Sequence, residues 1–206
     1  MAKRRPRLLL PMLIATSAHG FTERDPVGVY LRQFGLLELP QLSVRYGDVL
    51  LDDDRRNFKL PSRLLQRMPT ITWNASIDCA MLLFVDLDAG GRPESDLLAG
   101  SNGPFVHSLW THCPGSILGC RVVKRYLAPG TTAPRESRYV YLLFRHACDA
   151  ELKLPQSFKW GTKFSIATLL AENKNAGLSP VAYNYMLVSG APAVAKRADK
   201  RVVRGK

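Results

Sequence analysis

The chain has 206 residues, a mass of 23.0 kDa, 46% hydrophobic and 22% charged residues, and a net charge of +12. That is the length of one domain with short tails, and its composition excludes wholesale disorder, collagen-like sequence and repeat arrays. The charge is concentrated in two arms: residues 1–20 hold Lys3, Arg4, Arg5 and Arg7 with no acid, and residues 191–206 hold Lys196, Arg197, Lys200, Arg201, Arg204 and Lys206 against Asp199 alone.

A nearly balanced body (21–190) between basic arms points to arms that meet a polyanion, either RNA or an anionic membrane surface; solubilising tails are the plainer reading. Residues 1–20 join a basic head to a short apolar stretch and small residues ending at Ala18, which admits a secretory signal, a mitochondrial presequence or a retained arm. Pro11 interrupts the apolar stretch and disfavours an uninterrupted helix there. The longest apolar run, Leu8 to Ala15, falls far short of the roughly 20 residues that span a bilayer, so no transmembrane helix is expected. Mitochondrial import or a retained arm is preferred to secretion because the C-terminal arm is basic too.

The body reads as sheet. LSVRY (42–46) alternates in hydrophobicity, ITW (71–73) is short, and AMLLFV (80–85) is a continuous apolar run that suits a strand buried on both faces. VHSLWTHC (106–113) alternates again, and RYVYLLFR (138–145) places Val140, Leu142 and Phe144 on one face with Tyr139, Tyr141 and Leu143 on the other. VAYNYMLV (181–188) closes the series. One helix is predicted from about Phe164, with Phe164, Ala167 and Ala171 on its inner face beside Leu170, stopped by Gly177 and Pro180. A shorter one is predicted over SRLLQR (62–67). Many strands with few helices predict a mostly β fold, a β-sandwich with peripheral helices. The stretch 86–104 is a long Gly-, Ser- and Pro-rich connection of the kind that often carries function.

Cys79, Cys113, Cys120 and Cys148 form no CxxC pair, so no zinc site is expected. Two disulfides are compatible with the even count, but the apolar surroundings of Cys79 and Cys113 suggest reduced core thiols. No phosphate loop, HExxH or GxGxxG pattern occurs, and no metal or cofactor is expected. Asp86, His107 and Ser137 are the residue types of a hydrolase triad, yet Ser137 lacks a nucleophile-elbow pattern, so catalysis is not expected.

Taken in order, LSVRYGD, MPTITW, LLFVDLDAGGRP, PFVHSLWTHCPGS, RYVYLLFRH and FSIATLLAENKNAGLSPVAYNYM resemble the phosphatidylethanolamine-binding protein (PEBP) family over residues 40–190. The resemblance implies a β-sandwich with a small pocket for a phosphate or phosphorylated head group. The family's DPDAP motif stands here as Asp86, Leu87, Asp88, Ala89 and Gly90, with both acids and neither proline. Its His-Trp pair is His107 and Ser108, and its Gly-x-His-Arg motif is Arg135, Glu136, Ser137 and Arg138. Asp86, Asp88, His107, Arg138 and Tyr139 thus match pocket positions. The aromatic wall and second histidine are missing and Glu136 adds a repulsive carboxylate, so a weakened, vestigial anion pocket is expected. The plainer readings are that Asp86 and Asp88 cap a turn and that His107 is a satisfied core histidine.

Three functional readings follow. In the first, suggested by the family branch in the mitochondrial large ribosomal subunit, the chain is a structural subunit in the matrix whose arms, through the ten basic residues named above, contact rRNA phosphates next to ribosomal proteins. In the second it is a soluble, cytoplasmic regulatory protein that binds phosphatidylethanolamine or phosphate groups. In the third it is secreted or lies at a membrane surface, where the arms meet anionic phospholipid.

Overall fold

The computed structural model describes residues 27–189 except 35, 37–38, 52–59, 61, 74–75, 92, 95–98, 102, 131–135 and 155–163. Both basic arms, and so every residue expected to contact RNA, lie outside the described residues. In chain order the elements are α1 (Gly28–Arg32), β1 (Ser43–Tyr46), β2 (Val49–Leu51), α2 (Ser62–Leu65), β3 (Thr70–Thr72), β4 (Ala80–Asp86), β5 (Phe105–Cys113), β6 (Arg121–Lys124), β7 (Glu136–Arg145), α3 (Ile166–Glu172) and β8 (Ser179–Ser189), with a 3-10 turn at Lys174–Ala176. No helix among them is long and apolar enough to cross a membrane.

The strands form two antiparallel sheets, β2-β1-β3 and β6-β5-β4-β7-β8. The large sheet is covered on both faces, which is why β4 is apolar at six consecutive positions and all seven of its residues are buried. Period two divides its partner β7 as the sequence predicts. Val140, Leu142 and Phe144 pack with Tyr30 and Leu31 of α1 and with Ile166 and Leu169 of α3. Tyr139, Tyr141 and Leu143 pack with Val44, Tyr46 and Ile71 of the small sheet. The result is three layers, small sheet, large sheet and helices. Asn184 ties the sheets together at a buried point, its Nδ2 donating to the Leu42 and Leu51 carbonyls at 2.7 and 3.0 Å.

Three expectations are corrected. The inner face of α3 is Ile166 and Leu169, not Ala167 and Ala171, which are exposed. Ser165 caps the helix by accepting from the Thr168 amide at 3.2 Å, so Phe164 precedes the helix and the larger side chains set its phase. The alternation of β5 is interrupted twice by register shifts, between Ala80 and Leu82 and between Phe84 and Val85 of its partner.

The cysteines are all paired rather than reduced, as Cys79–Cys148 and Cys113–Cys120. Antiparallel pairing brings them together: Ala80 lies opposite Arg145, and His146 donates its amide to the Cys79 carbonyl at 3.1 Å, which carries Cys148 to Cys79. Thr111 lies opposite Arg121, so Cys113 and Cys120 meet where the β5–β6 loop closes. An apolar setting suits a disulfide as well as a thiol, and sequence position alone did not distinguish them.

Candidate ligand cleft

One end of the large sheet, where β4 ends and β5 and β7 begin, opens into a cleft of about 590 Å³. Its lining includes Asp86, Asp88, Gly91, Phe105, His107, Leu127, Gly130 and Ser137. The long connection 86–104 supplies part of the rim, and its packing is tight: a Cβ on Gly100 would lie 2.5 Å from the Ala89 carbonyl oxygen.

His107 reaches the cleft through a β-bulge. Phe84 pairs with Ser108 but Val85 pairs with Val106, leaving His107 as the extra residue. A bulge changes the parity of a strand and re-aims a side chain. Val106 and Leu109, three apart, accordingly share the helix-side core, while His107 faces the rings of Phe84 and Tyr139 at 5.6 and 5.0 Å. Ser108 at the bulge is fully buried and its hydroxyl has no hydrogen-bond partner. Leu127 is held to His107 twice, by its amide donating to the His107 carbonyl and by its carbonyl next to His107 Nδ1, each at 3.0 Å.

Burial pushes His107 down to about 4, helped by the nearby Lys124 charge and opposed by the bond to Leu127. The ring is therefore neutral at pH 7. Its Nδ1 carries the proton donated to Leu127, and Nε2 is left as an acceptor. Burial pushes Asp86 up to about 6, reinforced by the charge of Asp88 and opposed by the Asp88 amide, which donates to Asp86 Oδ1 at 2.8 Å. The buried Tyr139 hydroxyl lies against Asp86 and donates to the Gly130 carbonyl at 3.3 Å.

Asp88 and Arg138 do different work. Both side chains are fully buried, with Arg138 Nη2 2.6 Å from Asp88 Oδ1. Arg138 Nε lies 3.1 Å from both carboxylate oxygens, and the Arg138 amide donates to Asp88 Oδ2 at 2.7 Å. Arg138 is not among the lining residues, because it lies one position from Ser137 and Tyr139 and points to the other face of β7. Glu136 shares that parity and does not line the cleft either; its Oε1 accepts from Ser189 at 3.4 Å. The structure thus brings Asp86, Asp88 and His107 to the cleft, packs Tyr139 against Asp86 and His107 outside the lining, and places Arg138 behind it.

Phe105 and Leu127 form an apolar wall that the sequence reading missed; the one signal available was an aromatic residue at the loop-strand junction. Ser137 also lines the cleft. The His107 Nδ1 proton goes to Leu127 and Asp86 takes the Asp88 amide, so the Asp-to-His bond of a hydrolase triad is not made. Among the described residues no group of three His, Cys, Asp or Glu side chains could hold a metal ion.

The two shifted groups oppose each other in their pH linkage. Asp86, raised from 3.8, contributes stability that is complete below that value and is lost as pH rises through about 6. His107, lowered from 6.5, contributes stability that is complete above that value and is lost as pH falls through about 4. Asp86→Asn removes only the first, so the variant should gain on the wild type between pH 3.8 and about 6 by up to ~1.4 kcal/mol per pH unit. Urea unfolding of both proteins across that range measures the difference, and a constant difference would contradict the burial of Asp86.

The fold is that of the phosphatidylethanolamine-binding proteins. Carboxypeptidase Y inhibitor, solved in complex with its cognate proteinase, superposes with a TM-score of 0.58 over 85% of this chain and 98% of its own, at 16% identity. The phosphatidylethanolamine-binding proteins of Plasmodium falciparum and Plasmodium vivax give 0.53 and 0.52, at 13% and 12% identity, over 82% and 81% of this chain and 100% and 99% of theirs. No family model and no curated protein matches the sequence.

Proposed function

We propose that the protein is a non-catalytic binding module whose cleft takes the amine-bearing head group of a phospholipid or a soluble equivalent, with the ammonium on Asp86. The observation that supports this most is the polarity of the cleft floor at pH 7: Asp86 is largely ionised, His107 presents a lone pair, and the nearby Arg138 charge is already committed to Asp88. A floor of acceptors attracts a donor cation and disfavours a bare anion. Phe105 and Leu127 offer apolar surface to the rest of the ligand. The Plasmodium proteins of the same fold are phosphatidylethanolamine-binding proteins by name, and ethanolamine is such an amine.

Calorimetric titration with glycerophosphoethanolamine, ethanolamine and inorganic phosphate tests the reading. The expected order of affinity is the one just given, with Asp86→Asn weakening the first two by about tenfold or more, the worth of a charged hydrogen bond. Phosphate binding more tightly than ethanolamine, through the same residues, would overturn it.

The pairing of all four cysteines supports an oxidising compartment, and so the secreted alternative over the cytoplasm or the mitochondrial matrix. A second reading, assembly into the mitochondrial large ribosomal subunit, rests on the two basic arms of the sequence. It expects co-sedimentation with that subunit, weakening steeply as salt rises.

A further inference from the structure

A second, smaller cleft lies away from the first, where the β1–β2 turn faces α2 and the turn after it. Its volume is about 260 Å³, and its lining is Tyr46, Gly47, Arg63, Leu64, Arg67 and Met68. None of these residues lines the Asp86 cleft. Among the described residues, the charged side chains in the lining are the two arginines.

Its walls are held at a fixed separation by a relay of tyrosines. Tyr126 donates to the Leu65 carbonyl at 2.8 Å, which leaves its oxygen to accept from Tyr46 at 3.1 Å, and Tyr46 in turn accepts from Tyr141 at 2.5 Å. Burial pushes the hydroxyl of Tyr126 up to about 12, against the opposing effect of its bonds to Tyr46 and Tyr141, and pushes those of Tyr46 and Tyr141 higher, so the relay does not ionise in the physiological range. The relay runs from Tyr141 of β7 through Tyr46 of the β1 wall to Leu65, the last residue of α2. At the mouth, Gly47 has φ +59 and a Cβ placed there would meet nothing within 4 Å, so the turn leaves the opening clear. Leu64 is half-buried against the core and Met68 is 46% exposed, which gives the cleft an apolar side.

Arg63 lies on α2 and Arg67 in the turn after it, and both line the same cleft. Both are exposed, and among the described residues the one ion pair is that of Arg138 with Asp88. Two guanidinium groups around one rigid cavity form the donor set that recognises phosphate oxygens, each able to make paired N–H···O bonds. We propose that this cleft is a phosphomonoester site, with Arg63 and Arg67 on the phosphate and the organic substituent against Leu64 and Met68. The same chemistry is offered by a free phosphomonoester and by phosphatidic acid at a membrane surface.

The test is titration of the full chain with phenyl phosphate in solution and with phosphatidylcholine vesicles with or without phosphatidic acid, followed by amide NMR shifts. The expected result is saturable binding in at least one arm, with shifts centred on residues 46–47 and 63–68. The double variant Arg63→Gln and Arg67→Gln should weaken that binding tenfold or more, whereas Arg121→Gln with Lys174→Gln, which removes the same charge elsewhere, should change it less than about twofold. Asp86→Asn should leave it unchanged, which separates this site from the head-group cleft. Equal weakening by both double variants would show diffuse attraction to a basic chain and overturn the proposal, as would the absence of saturable binding in both arms.

Discussion

Arg138→Met should destabilise the protein by about 3–5 kcal/mol, measured as a lower urea midpoint at pH 7. The substitution preserves most of the volume but leaves Asp88, which is fully buried, with only the Arg138 main-chain amide at 2.7 Å. Asp88→Asn combined with Arg138→Met removes both charges and should recover much of the stability, because removing a buried pair together costs far less than breaking it. A single-variant loss below about 1 kcal/mol is the size expected of an exposed pair and would contradict the burial assigned here. The consequence for function is positional. The turn that follows Asp86 is pinned to β7 through Asp88, so Arg138→Met should disorder the cleft while the double variant keeps it.

Removing the Cys79–Cys148 bridge should cost about 4 kcal/mol, and removing Cys113–Cys120 about 2 kcal/mol, on the chain-entropy account of cross-links. The difference follows from loop length: the first bridge spans 69 residues of sequence and the second spans 7. Paired Cys→Ser variants, compared with the wild type under oxidising conditions, test the ranking. With reductant the wild type should fall to the level of a chain without either bridge. Detection of free thiols in the folded, oxidised protein would contradict both the pairing and the inference of an oxidising compartment drawn from it.

Much of the framework is legible in the sequence because the large sheet is covered on both faces. A strand in that position must be apolar almost throughout, as β4 is, or carry two sorted faces, as β7 does with Val140, Leu142 and Phe144 against Tyr139, Tyr141 and Leu143. The short elements β2, β6 and α1 were not legible. Three to five residues hold too few periods to show, and β6 is an edge strand with exposed positions such as Val122. In α3 the candidate face failed because the register of the helix is set by Ser165 as its cap, one residue after the aromatic that seemed to begin it.

The site was legible in its composition and not in its roles. Asp86 and Asp88 sit two residues apart with the same chemistry and both line the cleft, yet one has its pKa raised and the other is paired with Arg138 behind it. Their partners are about 50 residues away in sequence, and no local pattern reveals which carboxylate takes which. His107 was placed correctly on β5, but a bulge of one residue turns it into the cleft, and an alternating pattern has no means of showing that bulge. The tyrosine relay that fixes the second cleft joins Tyr46, Tyr126 and Tyr141 across separations of 80 and 95 residues and left no trace in the sequence pattern.

The most direct test of ammonium binding at Asp86 is the pH dependence of glycerophosphoethanolamine binding from about pH 5 to about pH 8, a range in which a phosphodiester keeps its charge and an alkylammonium like that of lysine stays protonated. With the ammonium on Asp86, affinity should rise as pH increases, with half the gain near pH 6 where Asp86 ionises, and the rise should vanish in Asp86→Asn. Affinity that falls as pH rises through the same point would mean that a protonated Asp86 donates to the phosphate, and the cleft would be an anion site instead.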